Sequence, residues 1–497
     1  MRLRPIAIAA LSATLLQACT AGPDFVRPAA PAADRYTSAP QIEKTIASEV
    51  PGGEAQHFSS GSKLDAKWWR AFGAPELDAL VDEALKANPT VNAADAALRA
   101  ALENVRAQQG MFWPSISADL NASRNKTAPV LSPALNSSVN PYSLHTAQLQ
   151  ISYPLDVFGG TRRQVESLRA QAEVQRFQLE AARVSLANNV VAAVVQLAAL
   201  RDQLSALRDV GRLQAEQLEI VRKQFRLGEV AEANVIAQAG ALAQTQAQLP
   251  ALEKQLAQQN DALIALLGKL PGEQATSQFT LAVLHLPQEL PMTLPSQLVE
   301  QRPDVRAAEA ALHAANAQIG VAVAARLPQL TLSASTGSSA THFGDLLTAG
   351  TGFWGVAADL AQPIFQGGTL LHRQRAAEAN AEQAAAQYRG AVVAAFQNVA
   401  DTLLALQYDA EGLRASVEAE RATRQTFEIA RKQLELGDVS PLAVVIAEQA
   451  YKQALIARIQ AQAARYADTA ALFQALGGGW WSENTLAGQQ QSDDAKR

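Results

Sequence analysis

The chain of 497 residues has one cysteine, Cys19. No intramolecular disulfide can form, so stability has to come from packing alone. Long apolar runs are missing as well. Beyond Leu16 no uninterrupted apolar stretch reaches the roughly 18 residues a membrane-spanning helix needs, so any passage through a bilayer must use strands. Like-charge blocks are absent and the formal net charge is −5, which excludes the clustered basic surface of a nucleic-acid binder. The six histidines, at 57, 145, 285, 313, 342 and 372, lack metal-ligand spacing such as HExxH, and three methionines make no soft-metal relay. GGTRRQ at 159–164 lacks the GxxxxGK[ST] frame of a phosphate loop and reads as a strand-to-helix turn. With no triad or paired-carboxylate site, the chain is expected to be a non-enzyme without a cofactor.

What is present begins at the N-terminus. Arg2 and Arg4 precede a short apolar run from Ile6 to Leu16, the pattern of a secretory signal. It ends in Leu16-Gln17-Ala18-Cys19, which looks like a bacterial lipoprotein processing box with Cys19 as the lipidated residue. A signal cut elsewhere, leaving a free thiol, is the alternative. Thr20 follows, where an aspartate would resemble an inner-membrane retention signal, so the outer membrane is the expected address.

The rest of the chain is written twice. NPTV at 88–91 matches RPDV at 302–305, and WPSI at 113–116 matches LPQL at 327–330, both at an offset of 214. YPLDVFGG at 153–160 matches QPIFQGG at 362–368, and RKQFRLGEVA at 222–231 matches RKQLELGDVS at 431–440, now at an offset of 209. Copies of about 180 residues are far longer than a solenoid unit, so this is a tandem duplication of a whole half.

Each half has the same order of periods. A helix opened by proline (Pro89, Pro303) is followed by a second proline that helps to stop it (Pro114, Pro328). Two alternating stretches come next. Ile116, Ala118, Leu120 and Ala122 face one way in the first, and Ala147, Leu149, Ile151, Tyr153 and Leu155 in the second. The second half repeats this with Leu330, Leu332 and Ala334, then Trp354, Val356, Ala358, Leu360 and Ile364. Four strands of about ten residues with one polar face fit a transmembrane barrel. A soluble sandwich with the apolar faces turned inward fits the strands equally. The connections, roughly 124–144 and 337–352, read as exposed loops.

A very long helix follows in each half. Apolar residues hold a heptad phase from Leu179 through Leu186, Val190, Leu197, Leu204 and Leu207 to Phe225, and again from Val392 through Val399, Leu406 and Leu413 to Leu434. About 65 residues at 1.5 Å each span about 100 Å. Gly228 and Gly437 fall where a left-handed residue ends such a helix, and a shorter helix returns, opened in the second copy by Ser440 as cap and Pro441. The repeated phrase thus forms the tips of two helical hairpins. Trp68, Trp69, Trp480 and Trp481 are read as packing or interface anchors. Four strands cannot close a barrel alone, so the chain is expected to oligomerise, three copies being the better fit to an open conduit.

These features together resemble the TolC-like outer membrane factor family, in its NodT-type lipoprotein branch. The motifs are the lipobox followed by GPDFVRP (22–28), KWWRAFGAPELDALVDEAL (67–85), both tip phrases and the closing ALFQALGGGWW (471–481). The resemblance implies a mixed α/β membrane protein: a homotrimer with a 12-stranded outer-membrane β-barrel, four strands per chain, continuing into a periplasmic α-helical barrel. It implies residues 1–18 as signal peptide, 19–87 as lipid-anchored and equatorial segment, and 88–268 as first repeat. Residues 269–301 are then an equatorial linker, 302–477 the second repeat and 478–497 the tail. It implies docking of a periplasmic membrane fusion (adaptor) protein at Leu227, Gly228, Glu229, Val230 and Ala231, and at Leu436, Gly437, Asp438, Val439 and Ser440. An inner-membrane RND transporter would supply the energy.

Relatives place aspartates around the entrance. Here Asn234, Ala443 and Ile446 stand at those positions, so an entrance closed by apolar packing and less sensitive to multivalent cations is expected. The function implied is a passive exit channel for small molecules such as drugs or toxic compounds. A type I protein secretion duct and a soluble periplasmic coiled-coil adaptor or scaffold are the competing readings.

Overall fold

The computed structural model describes residues 20–33, 35–37, 42–60, 64–126, 141–272, 279–293 and 295–482. The signal peptide, Cys19, the tail from residue 483 and most of the first strand connection lie outside the described residues. Two compact units are built, one from residues 1–28, 97–175 and 308–388, the other from 29–96, 176–307 and 389–497.

The first unit carries an antiparallel sheet of β2 (Ser115–Asn125), β3 (Tyr142–Leu155), β5 (Gln329–Ala340) and β6 (Gly352–Ala361), paired in that order. The register lines up the alternation. One row reads Ile116, Ile151, Ala334, Val356, and the next Ser117, Gln150, Ser335, Gly355. In these rows apolar side chains alternate with small or polar residues across the four strands. The pattern breaks farther along, where Thr336 joins the apolar row of Ala118, Leu149 and Trp354, and Phe353 joins the polar row of Asp119 and Gln148. The apolar rows are bare, with Ile116 69% and Trp354 80% exposed, so a sandwich with these faces packed inward is overturned.

The strands run past the alternating patterns. β3 begins at Tyr142, because Ser143 and Leu144 continue the ladder opposite Arg124 and Ser123. β6 stops at Ala361, and Ile364, expected on its apolar face, lies beyond it after Pro363, which cannot donate to a ladder.

The second unit holds α1 (Pro75–Ala87) and the return helices α4 (Glu232–Leu266) and α8 (Pro441–Ala475). The helices α2 (Pro89–Gln109) and α6 (Pro303–Ala324) begin at the predicted prolines, and the short helix α5 (Pro295–Gln301) comes just before α6. The long helices are α3 (Gly160–Arg226), 67 residues, and α7 (Thr369–Leu436), 68 residues. One stretch of α3 is apolar enough to span a bilayer by length and composition, but most of it is buried inside the protein, as a core helix is. The heptad residues from Leu179 to Leu207 are buried there, whereas Phe225, in the last turn, is exposed. Pro250 sits inside α4 without ending it and forgoes the bond its N–H would make.

Tryptophans pack this unit. Trp68 stacks on Phe473 at 5.2 Å and meets Trp69 edge-on, while Leu77, Leu80, Val81 and Ala84 bury one stripe of α1. Trp480 donates its indole N–H to the Gln301 carbonyl at 2.7 Å. Two short strands unannounced by any alternation, β1 (His57–Ser60) and β4 (Glu289–Met292), pair in parallel. Beside them the buried Gln56 amide donates to the Pro287 carbonyl and the Thr469 hydroxyl, both at 3.0 Å.

The repeated NPTV and RPDV acquire a physical role here. The residue before each proline reaches the end of its own half's return helix. Asn88 Nδ2 donates to the Leu266 carbonyl at 2.9 Å, and Arg302 Nη1 to the Ala475 carbonyl at 2.9 Å. Both satisfy carbonyls that a helix C-terminus leaves without an intrahelical partner.

Candidate functional site

The two hairpin tips, both in the second unit, are built bond for bond alike. Gly228 N–H donates to Phe225 O at 2.9 Å and Glu229 N–H to Gln224 O at 3.0 Å. Gly437 N–H donates to Leu434 O at 3.1 Å and Asp438 N–H to Gln433 O at 2.8 Å. These are the paired bonds of a Schellman closure, and the glycines take the positive φ it needs, +78° and +81°. Ala231 and Ser440 then open the return helices with nearly identical extended backbones, φ/ψ −76°/152° and −75°/151°. Ser440 occupies the expected cap position, but its hydroxyl makes no capping bond; Pro441 at the first helical position sets the geometry instead.

What the tips present is backbone and aliphatic surface. Leu227 is 64% and Leu436 76% exposed, Glu229 and Asp438 are exposed beside them, and Val230 is half-buried. Val439 packs against the cluster of Phe427, Ala430, Leu434, Val444 and Ala447 that stiffens the second tip. Phe427 also stacks on Tyr451 at 5.9 Å. A Cβ built on Gly228 or Gly437 meets nothing within 4 Å. The surface suits docking of another protein more than chemistry on a small molecule.

The three entrance candidates lie just past the tips. Asn234 and Ala443 are half-buried and Ile446 is 61% exposed, with Leu442 and Ile236 also exposed nearby in sequence. The second copy puts buried Val445 where the first has exposed Ile236, so the return helices show different faces despite matching tips.

Cys19 lies outside the described residues, but the segment after it belongs to the first unit and is strapped down there. Ala21 N–H donates to the Phe158 carbonyl at 2.9 Å, just past the end of β3. Arg163 of α3 donates to the Ala21 carbonyl at 3.1 Å and pairs with Asp24 at 2.6 Å, while Arg27 pairs with Glu309 of α6 at 2.8 Å. Phe25 stacks on His313, whose Nε2 is 2.9 Å from Glu166. His313 is thus engaged in packing and pairing, and among the described residues no group of His, Cys, Asp and Glu has the makings of a metal site.

A bare-faced four-stranded sheet and a pair of long helical hairpins are the parts of an outer-membrane channel of the TolC-like kind. Solved structures share this fold. The outer-membrane channel OprN aligns with a TM-score of 0.83 and 27% identity over 93% of this chain and all of that one. The open state of the Neisseria gonorrhoeae MtrE channel aligns with 0.78 and 26% over 93% of this chain and 98% of that one. Among relatives, the pyoverdine export outer membrane protein OpmQ of Pseudomonas putida is 30% identical over 84% of this chain and 89% of its own length. The probable efflux pump outer membrane protein TtgC of the same species is 28% identical over 97% of both chains. The probable outer membrane lipoprotein SilC of Salmonella typhimurium is 28% identical over 94% of this chain and 97% of its own. The outer membrane efflux protein family model matches residues 80–269 and 294–478, and the chain belongs to that family.

Proposed function

We propose that the protein is the passive exit duct of a tripartite efflux pump, lodged in the bacterial outer membrane and lipid-anchored through Cys19. The observation that carries this reading is the in-register apolar face left bare across β2, β3, β5 and β6, with β2 and β6 as outer strands. Unpaired strand edges in lipid leave several kcal/mol of unsatisfied backbone per group, so the sheet needs other copies to close it. Three copies of a four-stranded sheet make a barrel of twelve strands, wide enough for a conduit, where eight would fill with their own side chains. The hairpin tips are then the lower, closable entrance, docked by a periplasmic adaptor and energised by an inner-membrane RND transporter. Relatives named for the export of pyoverdine, antibiotics and toluene point to small molecules as cargo, which favours this reading over protein secretion. The bare apolar sheet speaks against a soluble adaptor or scaffold.

Single-channel recording tests the proposal. Full-length protein, extracted in detergent and added to a planar lipid bilayer, is expected to give stepwise ohmic currents. Protein that stays in aqueous solution and carries no current would overturn it.

A further inference from the structure

Ile446 faces outward from α8, but the same helix sends two charged side chains inward. Glu448 is 2% exposed, and Lys452, one turn on, is buried too. Val444, Glu448 and Lys452 form one i, i+4 row of the buried face, and Val444 itself, Val445 and Ala447 make the rest of that face apolar over these turns. Their partners come from both helices of the first hairpin. The Gln214 side chain of α3 hydrogen-bonds Glu448, and Lys452 Nζ donates to Thr245 Oγ1 of α4 at 3.4 Å. Gln238 Nε2 of α4 donates to the Gln214 carbonyl at 3.4 Å, and all three partners are buried. A polar layer therefore ties the second hairpin's return helix to the first hairpin.

The layer is short of donors. Gln214 Oε1 and Gln238 Oε1 are buried and accept no hydrogen bond. An ionised carboxylate only accepts, whereas a protonated one brings an O–H into the layer. Burial pushes the Glu448 carboxyl up to about 7, against the Gln214 hydrogen bond and the charges of Lys452 and of Arg431 on α7, which pull it down. Burial likewise lowers the Lys452 ammonium, and Glu448 partly restores it.

We propose that Glu448 is a proton-operated latch: its neutral carboxyl holds α8 against α3 and α4, and loss of the proton to water loosens that grip and favours opening of the entrance. The proposal rests on reading the hairpin tips as a closable entrance. The sign follows from a raised carboxyl. The stabilisation is fully present below the ordinary value of 4.5 and is lost as pH rises through about 7. Each pH unit in that window shifts the packed-to-released ratio by up to about tenfold.

The test uses the full-length channel in planar bilayers without an adaptor, recorded between about pH 5 and about pH 8. Wild type should open at least about tenfold more often at the upper end, and Glu448→Gln, neutral throughout, should stay closed at both. An unchanged pH response in Glu448→Gln, or none in wild type, overturns the latch and leaves the exit-duct reading standing. Absence of current in wild type at every pH overturns both. Should the variant fail to assemble, hydrogen exchange in wild type decides. After correction for intrinsic rates, amides of residues 441–455 should be better protected at acid pH, and equal protection overturns the latch.

Discussion

Gly228 and Gly437, 209 residues apart, hold the same left-handed conformation and end two long helices with the same pair of backbone bonds. Gly268 and Gly477 end the return helices in the same way, at φ +75° and +98°, but in different surroundings. A Cβ on Gly268 would come within 2.7 Å of the Ala87 carbonyl oxygen, and one on Gly477 within 2.8 Å of the Gln301 carbonyl oxygen.

The four glycines should therefore separate into two classes on substitution by alanine. Gly228→Ala and Gly437→Ala meet only the left-handed strain, about 1 kcal/mol each. Gly268→Ala and Gly477→Ala must also push backbone aside and should cost about 2–4 kcal/mol. Denaturant unfolding measures the difference. Equal losses at all four would contradict the account of the tips as open surface.

Leu227→Glu and Leu436→Glu should leave stability within about 0.5 kcal/mol of wild type, because both leucines are largely exposed. Capture of a purified periplasmic adaptor of an RND pump should fall sharply. Adaptor binding that survives the double substitution would place the docking surface elsewhere.

Asn234, Ala443 and Ile446 supply no carboxylate ring, so micromolar trivalent metal ions should leave the current largely unblocked. Ala443→Asp with Ile446→Asp should create block that weakens with ionic strength, as charge at a narrow aqueous entrance does. Strong block of the wild type would refute the apolar entrance.

Asp409 of α7 hydrogen-bonds Asp468 of α8. Burial pushes the Asp409 carboxyl up to about 7, helped by the Asp468 hydrogen bond and charge and opposed by Arg465. With the folded value raised, its stabilisation is present below the ordinary 3.8 and lost as pH rises through about 7. Asp409→Asn should therefore flatten the fall in stability across that window. Denaturant midpoints at both ends check it, and an unchanged slope would remove Asp409 from the account.

The parts of this fold that could be read in advance are those whose cause is local. Period-two alternation marked all four strands of the sheet, proline marked helix starts and glycine marked helix ends within a residue or two, because each acts on its own backbone. Pro114 and Pro328, by contrast, stand four or five residues past the helix ends at Gln109 and Ala324. The parts that escaped depend on distant partners. β1 and β4 are four residues each and become strands only by pairing across some 230 residues. Arg163 reads as one more surface arginine until the strap of residues 21–24 lies on it, and Asn88 and Arg302 look like ordinary helix-start residues until the return helix arrives. Glu448 and Lys452 likewise read as ordinary surface charges until the first hairpin packs over them. Ser440 and Ile364 show the reverse, a correct residue type in a place where neighbouring prolines decide.

The central claim is that one chain supplies a third of a barrel. Native mass spectrometry of the mature protein, extracted from membranes in mild detergent, tests it most directly. The account predicts three times the mass of one lipidated chain. A monomer released without detergent would contradict it.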